Sequence, residues 1–265
     1  MENNTISALY QKNDAVTCQM TDRFGFCRLS DTLRFLQEAA AEQLELCGPD
    51  EKTLSEQHRA FFLSRISVEL DVPLLRGERV LSETWPCASS RGYAFDRCYR
   101  LTKAGENAPA VRAVSQWAMI STDDRRLVRV EDSGFFYSRD EALTVSIPLR
   151  FRIPKTAEWI PCGEKKVSYS DADRNGHMNN THYPDLVCDA LPALNETGTP
   201  TPIRVTAFAA AFLHEAPIGE TLSLFRTELP DENGLYYFRT VRVSDGETNM
   251  EAAVRLSDGC EKENL

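Results

Sequence analysis

The order of predicted elements occurs twice along the chain, and this repeat limits the fold more than any other feature of the sequence. In each half, apolar periodicity predicts one helix followed by four strands joined by turn-rich stretches. The helices are predicted from Ser30-Asp31 to Gly48-Pro49 and over 181–191. The strands are predicted near 60–72, 78–87, 93–103 and 110–121, and then near 203–214, 219–228, 235–245 and 248–257. This pattern predicts an α+β fold with an antiparallel sheet in each half.

The halves also align in detail, which supports a duplication. When the chain is shifted so that Asp22 aligns with Asp173, the D-R-x-G-x run at 22–26 aligns with the D-R-x-G-x run at 173–177. Each run precedes a predicted helix. Further strands precede these runs, at 15–20 and 166–170. We therefore predict an N-terminal domain over 1–130, a linker over 131–165 and a C-terminal domain over 166–265.

The two aligned runs differ in polarity. Phe24 and Phe26 in the first run correspond to Asn175 and His177 in the second. We therefore expect the second half to carry the chemistry and the first half to supply apolar walls.

The run 173–183 is the densest polar segment of the chain. Asp173, Asn175, His177 and Asn179 alternate with other residues, so an extended backbone would place their side chains on one side. Asn180 follows and is a typical helix N-cap residue. Free N–H groups at the start of a helix can stabilise an oxyanion, so the segment is a candidate active site. The alternative is an Asn/Asp/Gly-rich turn that only caps a helix.

Other residues that could carry chemistry are few. His177 has the most polar surroundings of the four histidines, and Glu215, where an apolar run leaves the core, is a candidate general base. His182 lies five residues after His177, a poor spacing for a shared metal, so no metal is expected. The sequence lacks a G-x-S-x-G motif, so a hydrolase with that nucleophile elbow is not expected. It also lacks G-x-G-x-x-G and Walker motifs, so no nucleotide cofactor is expected.

Composition excludes several classes of protein. The net charge of −10 argues against a nucleic-acid binder. No run approaches the roughly 18 apolar residues of a membrane span, and the first residues lack signal-peptide features, so we expect a cytoplasmic protein. The eight cysteines have no C-x-x-C spacing, and we expect them to be reduced thiols.

One segment is locally basic. Between 149 and 166 the chain has five basic residues and two acidic ones. The basic residues are Arg150, Arg152, Lys155, Lys165 and Lys166. The segment is either a docking strip for an acidic partner or a solvated linker.

The polar run resembles a known signature. The pattern Asp173-x-Asn175-x-His177-x-Asn179-Asn180-x-x-Tyr183 is similar to the active-site signature of the acyl-ACP thioesterases, which hydrolyse acyl chains from acyl carrier protein (ACP). The segments 83–85 with 91–92, and 113–120 with 125–127, resemble first-half strands of that family. The resemblance implies two fused hotdog domains, each a long helix wrapped by an antiparallel sheet.

The same resemblance implies roles for individual residues. The catalytic set would be Asp173, Asn175, His177 and Glu215. The substrate-binding set would be Asn179, Asn180, Arg150, Arg152, Lys165 and Lys166. Many plant members have a cysteine directly after the glutamate, whereas Ala216 stands here, so a cysteine nucleophile at this position is excluded. The implied mechanism is attack by water on a thioester, with ACP as the partner that carries the substrate.

Two other functions stay open at this point. One is an acyl-CoA thioesterase or another hotdog enzyme acting on thioesters, because a fold does not decide function. The other is a non-catalytic sensor of acyl thioesters. The preferred acyl length and saturation cannot be read from the sequence, and the assembly state stays open, with a homodimer as one candidate.

Overall fold

The computed structural model describes residues 5–6, 9–87, 92–137, 143–191 and 198–257. The helices are α1 (Leu29–Cys47), α2 (Glu51–Glu56) and α3 (Tyr183–Asp189), with short 3₁₀ helices at Cys18–Met20, Tyr169–Asp171 and Asn180–His182. The strands are β1 (Thr5–Ile6), β2 (Tyr10–Ala15), β3 (Arg59–Leu70), β4 (Arg79–Pro86), β5 (Phe95–Lys103), β6 (Val111–Ser121), β7 (Leu127–Val128), β8 (Phe136–Tyr137), β9 (Trp159–Lys166), β10 (Val205–Phe212), β11 (Thr221–Thr227), β12 (Leu235–Arg242) and β13 (Thr248–Leu256).

One large sheet joins the two halves. Its order is β2-β4-β5-β6-β3-β10-β13-β12-β11-β9, with β7 added beside β6. β3 and β10 are antiparallel at the centre, where Glu69 lies opposite Ala207 and Arg65 opposite Ala211. The strand order on one side of this pair is repeated on the other, as expected for a duplicated unit. The α+β class predicted from the sequence is confirmed.

Helix α1 covers the sheet with an apolar face. Leu33, Leu36 and Ala39 are at most 1% exposed, and Gly48 ends the helix as predicted, with φ of 77° and an N–H that donates to the Leu44 carbonyl. The buried surface of α1 ends about one turn before the helix itself. Contact with the core stops at Gln43, which is fully buried and accepts a hydrogen bond from Arg97 of β5, whereas Leu46 is 73% exposed.

The edge strands lie earlier than predicted. β2 and β9 precede the expected positions at 15–20 and 166–170, and a 3₁₀ helix follows each of them. The alternation of apolar and polar residues is weak in β2 and β9, because neither edge strand contains a fully buried residue. All of β9 except Lys166 lies inside the range predicted as a linker, yet the strand pairs along its length with β11. The helix predicted over 181–191 is a 3₁₀ turn followed by α3, in which Pro184 occupies the first turn.

The segment that connects the halves packs against the sheet. Leu143, Val145, Ile147 and Leu149 contact a buried cluster made of Trp85, Cys87, Cys98 and Val114. The Trp85 indole N–H donates to the Leu143 carbonyl at 3.0 Å. Cys87 and Cys98 form a disulfide, so the expectation of reduced thiols is wrong for these two residues. The sequence spacing of these two cysteines did not indicate a disulfide, because the register between β4 and β5 is what brings them together.

Candidate active site

The polar loop is a tight turn and not an extended strand. The Asp173 carboxylate accepts a hydrogen bond from the Asn175 amide at 2.8 Å, and the Gly176 amide donates to the Asp173 carbonyl at 3.0 Å. Gly176 has φ of 77°, in the left-handed region that favours glycine. The expectation that alternation would place all four polar side chains on one side is therefore wrong.

The loop is anchored to the segment that follows β10. The Met178 amide donates to the Ala216 carbonyl at 2.8 Å, and the Ile218 amide donates to the Gly176 carbonyl at 3.1 Å. His177 and Pro217 form an isolated antiparallel bridge between these bonds. Because β10 ends at Phe212, the residues after it run beside the loop and place Glu215 next to His177.

His177 and Glu215 form the centre of the site. The His177 Nε2 atom lies 3.5 Å from the Glu215 Oε2 atom, and the two side chains are 26% and 48% exposed. Both groups therefore reach solvent. The structure thus brings together two residues that the sequence analysis proposed from separate segments.

Asp173 and Asn175 occupy different places from those expected. The Asp173 carboxylate bonds to the loop backbone, so its visible role is to shape the turn. Asn175 is exposed on the turn that presents His177. The ionisable partner of the His177 ring is Glu215.

Arg125 enters the site from the other half of the chain. Its Nη1 atom lies 3.2 Å from Glu215 Oε2, the oxygen that also faces His177. Arg125 lies between β6 and β7 and has φ of 58°, a value uncommon for a residue other than glycine. The sequence analysis did not place Arg125 in the site, because the contact spans 90 residues.

A buried polar network holds the Glu215 segment in place. Asn249 is 1% exposed, and its carbonyl accepts from the Leu213 and His214 amides at 2.9 and 3.1 Å. The Asn249 side-chain amide donates to the His214 carbonyl, and its oxygen accepts from Thr240 at 2.8 Å. Arg242 donates to the Glu215 carbonyl at 3.0 Å. These bonds fix the backbone on both sides of the carboxylate, and the sequence analysis proposed neither Asn249 nor Arg242.

Tyr183 connects this network to α3. Its side chain is buried, lies edge-on to Phe212 with ring centroids 5.4 Å apart, and bonds to Asn249. Burial raises the pKa of Tyr183 to about 12, so the phenol stays protonated near neutral pH. Tyr183 therefore ties the helix after the loop to the strand below it.

Asn179 and Asn180 lie at the start of the helical segment. The Asn179 side-chain oxygen accepts from the Thr181 amide and hydroxyl, both at 2.9 Å, which makes Asn179 an N-cap. Asn180 is the first residue of the 3₁₀ helix. Substrate binding by Asn179 and Asn180 stays a prediction.

The basic residues proposed for docking do not share one environment. Arg150 and Arg152 are exposed, in the segment that crosses the sheet. Lys166 is exposed at the end of β9. Lys165 is engaged in an ion pair with Asp171 at 2.9 Å. Burial raises the pKa of Asp171, but Lys165 and the Ser168 amide outweigh this effect and hold the pKa below its usual value.

The described ranges contain neither a group of three or more potential metal ligands nor a helix long and apolar enough to cross a membrane.

Comparison with known proteins identifies the family. The model of the acyl-ACP thioesterase N-terminal domain matches residues 7–135, and the model of the C-terminal domain matches residues 161–257. The chain belongs to the acyl-ACP thioesterase family. Among curated relatives, oleoyl-acyl carrier protein thioesterase 2 of Arabidopsis thaliana is 28% identical over 177 residues, which cover 59% of this chain and 47% of the relative. Palmitoyl-acyl carrier protein thioesterase of Gossypium hirsutum is 25% identical over 222 residues, which cover 78% and 49%.

Solved structures of acyl-ACP thioesterases share the fold. An acyl-ACP thioesterase from Bacteroides thetaiotaomicron matches with a TM-score of 0.79 at 24% identity, over 94% of this chain and 97% of that one. The 12:0-ACP thioesterase from Umbellularia californica matches with a TM-score of 0.72 at 15% identity, over 94% and 96%. The double hotdog fold implied by the signature is confirmed. The chain spans about half the length of the curated relatives it matches.

Proposed function

We propose that this protein hydrolyses the thioester of a fatty acyl chain carried by ACP and releases the free fatty acid. The observation that carries the proposal is the placement of His177 Nε2 3.5 Å from Glu215 Oε2 in a half-exposed site. Membership of the acyl-ACP thioesterase family supports the choice of substrate. The names of the relatives, which describe oleoyl- and palmitoyl-ACP thioesterases, support it further.

Glu215 is the proposed general base. Its carboxylate takes a proton from a water molecule as the water oxygen attacks the thioester carbonyl carbon. Collapse of the tetrahedral intermediate then breaks the C–S bond, and the sulfur takes up the proton held by Glu215, either directly or relayed through His177, which restores the Glu215 carboxylate. The products are a carboxylic acid and the phosphopantetheine thiol, so one water is consumed for each bond broken. Arg125 contacts the Glu215 carboxylate, and Arg242 donates a hydrogen bond to the Glu215 backbone carbonyl. The two arginines therefore hold both ends of this residue.

His177 is the proposed partner of the substrate carbonyl or of the leaving sulfur. The turn made by Asp173, Asn175 and Gly176 presents the imidazole. Asn175, exposed on the same turn, is proposed to orient the water or the thioester. The Thr181 and His182 amides are engaged by Asn179, so the backbone donor proposed for the developing oxyanion is the Asn180 amide at the start of this segment.

The test of the function is turnover on matched substrates. Saturated and unsaturated acyl-ACPs of increasing chain length are assayed beside the acyl-CoAs with the same chains, and free thiol release is measured. We expect higher kcat/KM for the ACP thioesters. Preference for acyl-CoA would favour the alternative hotdog thioesterase, and binding without turnover would favour a sensor. A homodimer, a cytoplasmic location and the three-part domain division stay predictions.

Docking of ACP gives a prediction about charge. Reversal of Arg150, Arg152, Lys165 and Lys166 to glutamate, singly and together, tests the proposed strip. We expect KM for the acyl-ACP to rise with little change in KM for the acyl-CoA, because only the carrier protein presents an extended acidic surface. Lys166→Glu is a more informative single variant than Lys165→Glu, because Lys165 is paired with Asp171 and its reversal would also break that ion pair. An equal rise for both substrates would contradict a docking role.

Arg125 gives a second prediction. Arg125→Ala is expected to lower kcat/KM by about tenfold, because it removes the cation that orients the general base. The effect is modest because the Arg125 side chain is largely exposed. Arg126→Ala is the matched control, since Arg126 is the neighbouring exposed arginine and pairs with Asp124 instead. Equal activities of the two variants would contradict a role for Arg125.

A further inference from the structure

The first half contains a second copy of the active-site loop. The Asp22 carboxylate accepts from the Phe24 and Phe26 amides at 2.8 and 3.0 Å, which repeats the turn of Asp173. Phe26 bridges to Leu75 as His177 bridges to Pro217. This copy lies at the opposite end of the central β3–β10 pair from the candidate active site. That end is where β3 finishes at Leu70 and where β10 begins beside it.

A cavity of about 690 Å³ lies at this second loop. Its walls come from the loop 22–28, the first turns of α1, the residues after β3, helix α3 and the start of β10. His177, Glu215 and Arg125 are not among its lining residues. Along the β3–β10 pair the two loops are separated by roughly 20 Å, at about 3.3 Å per residue. The cavity is therefore separate from the candidate active site.

Two arginines of the lining are available to a ligand. Arg23 lies over the Phe24 ring at 5.3 Å, and Arg204 lies over the Phe26 ring at 5.5 Å. In the part of the chain that the structure describes, neither arginine has a carboxylate within ion-pair distance. Arg34, which also lines the cavity, is engaged by Asp31 at 2.6 Å.

The acidic residues of the lining are mostly engaged. Asp22 accepts from its own loop, Asp31 pairs with Arg34, and Asp71 binds Arg112. Asp185 and Asp189 of α3 make the remaining acidic part of the lining. Burial, with the neighbouring charge of Asp185, raises the pKa of Asp189. The lining thus offers free positive charge on the loop side and acidic residues on the α3 side.

The lining holds an apolar surface and two buried polar atoms without a hydrogen-bond partner among the described residues, the Ser30 hydroxyl and the Asp31 Oδ2 atom, the latter 3.8 Å from Arg28 Nη1. Ser30 lines the cavity and is 1% exposed, and its hydroxyl has no hydrogen-bond partner among the residues described. A buried hydroxyl without a partner is costly unless a ligand or a water completes it. Around Ser30 the lining includes Phe26, Leu74 and Val205, which suit an aliphatic chain.

We infer that this cavity is a second ligand site, which binds an alkyl carboxylate with its head group at Arg23 and Arg204 and its chain against Phe26, Leu74 and Val205. The loop that carries catalytic side chains in the second half has become a binding loop in the first. The inference does not depend on the reaction proposed above, because it concerns binding at the other end of the central strand pair.

The experiment measures binding by the full chain of three probes that share one chain length: decanoate, decanol and decylammonium. Isothermal titration calorimetry gives affinity, and hydrogen–deuterium exchange locates the site. We expect decanoate to bind most tightly and to protect 22–34 and 200–206. Arg23→Ala and Arg204→Ala should each weaken this binding by about tenfold or more, the effect of losing a charge-assisted hydrogen bond. Both arginines are exposed, so these variants should fold.

The control is Arg79→Ala, which removes an exposed arginine outside the cavity lining and should leave affinity unchanged. Protection confined to 173–183 and 213–218 would show that decanoate enters only the candidate active site and would overturn the inference. Unchanged affinity in Arg23→Ala and Arg204→Ala would overturn it as well. So would tighter binding of decylammonium, because Asp185 and Asp189 would then be the recognising groups. Decanoate binding at the second loop with no thioesterase activity would support this inference while contradicting the proposed function.

Discussion

Glu215→Gln is expected to lower kcat for acyl-ACP hydrolysis by about 100- to 10,000-fold, the usual range for removing a general base. Glutamine keeps the shape of the side chain but cannot take a proton from water. Its contacts with His177 and Arg125 are partly exposed, so we expect little change in the midpoint of thermal unfolding. Steady-state kinetics and thermal denaturation of the purified variant measure both quantities.

The matched control is Glu247→Gln, since Glu247 is exposed and lies in the turn between β12 and β13, outside the site. It should keep wild-type kcat. If Glu215→Gln also turned over at the wild-type rate, Glu215 could not be the base. If it lost activity together with its fold, a role in folding would replace the catalytic one.

His177→Ala is expected to lower kcat by about 100- to 1,000-fold, as when a donor that stabilises the transition state is removed. The double variant His177→Ala/Glu215→Gln should be little slower than Glu215→Gln alone, because groups that act on the same step are strongly non-additive. Single-turnover kinetics on acyl-ACP separates the chemical step from product release.

The control for His177 is His58→Ala, which removes a histidine that pairs instead with Asp123 on the surface. We expect it to behave as the wild type. Multiplicative losses in the double variant would show that His177 and Glu215 act independently. Wild-type turnover by His177→Ala would remove the imidazole from the mechanism.

The repeat and the helical periodicity were enough to predict the α+β class, since both depend on local sequence. The end of α1 at Gly48 was predicted correctly because a glycine with positive φ ends a helix by its own geometry. The edge strands β2 and β9 were misplaced, because strands with no buried residue leave no strong alternation. Val145, Ile147 and Leu149 do alternate, and that signal could have shown that the connecting segment packs against the sheet.

The site was predicted in part. The polar run selected His177, and the end of an apolar run selected Glu215, which the structure places beside it. The conformation of the loop was missed, because the alternation of polar residues does not reveal that Gly176 turns the chain. Arg125 and Asn249 were missed because their roles come from sheet register and from contacts across distant parts of the chain, neither of which is encoded in local sequence.

The central β3–β10 pair limits how the two halves can move relative to each other. The two halves are joined by main-chain hydrogen bonds along this pair, from Glu69–Ala207 to Arg65–Ala211, and not only by side-chain packing. A hinge motion that swung one half away from the other would break several of these bonds together. We therefore expect the sheet to move as one rigid unit that does not open between the two halves.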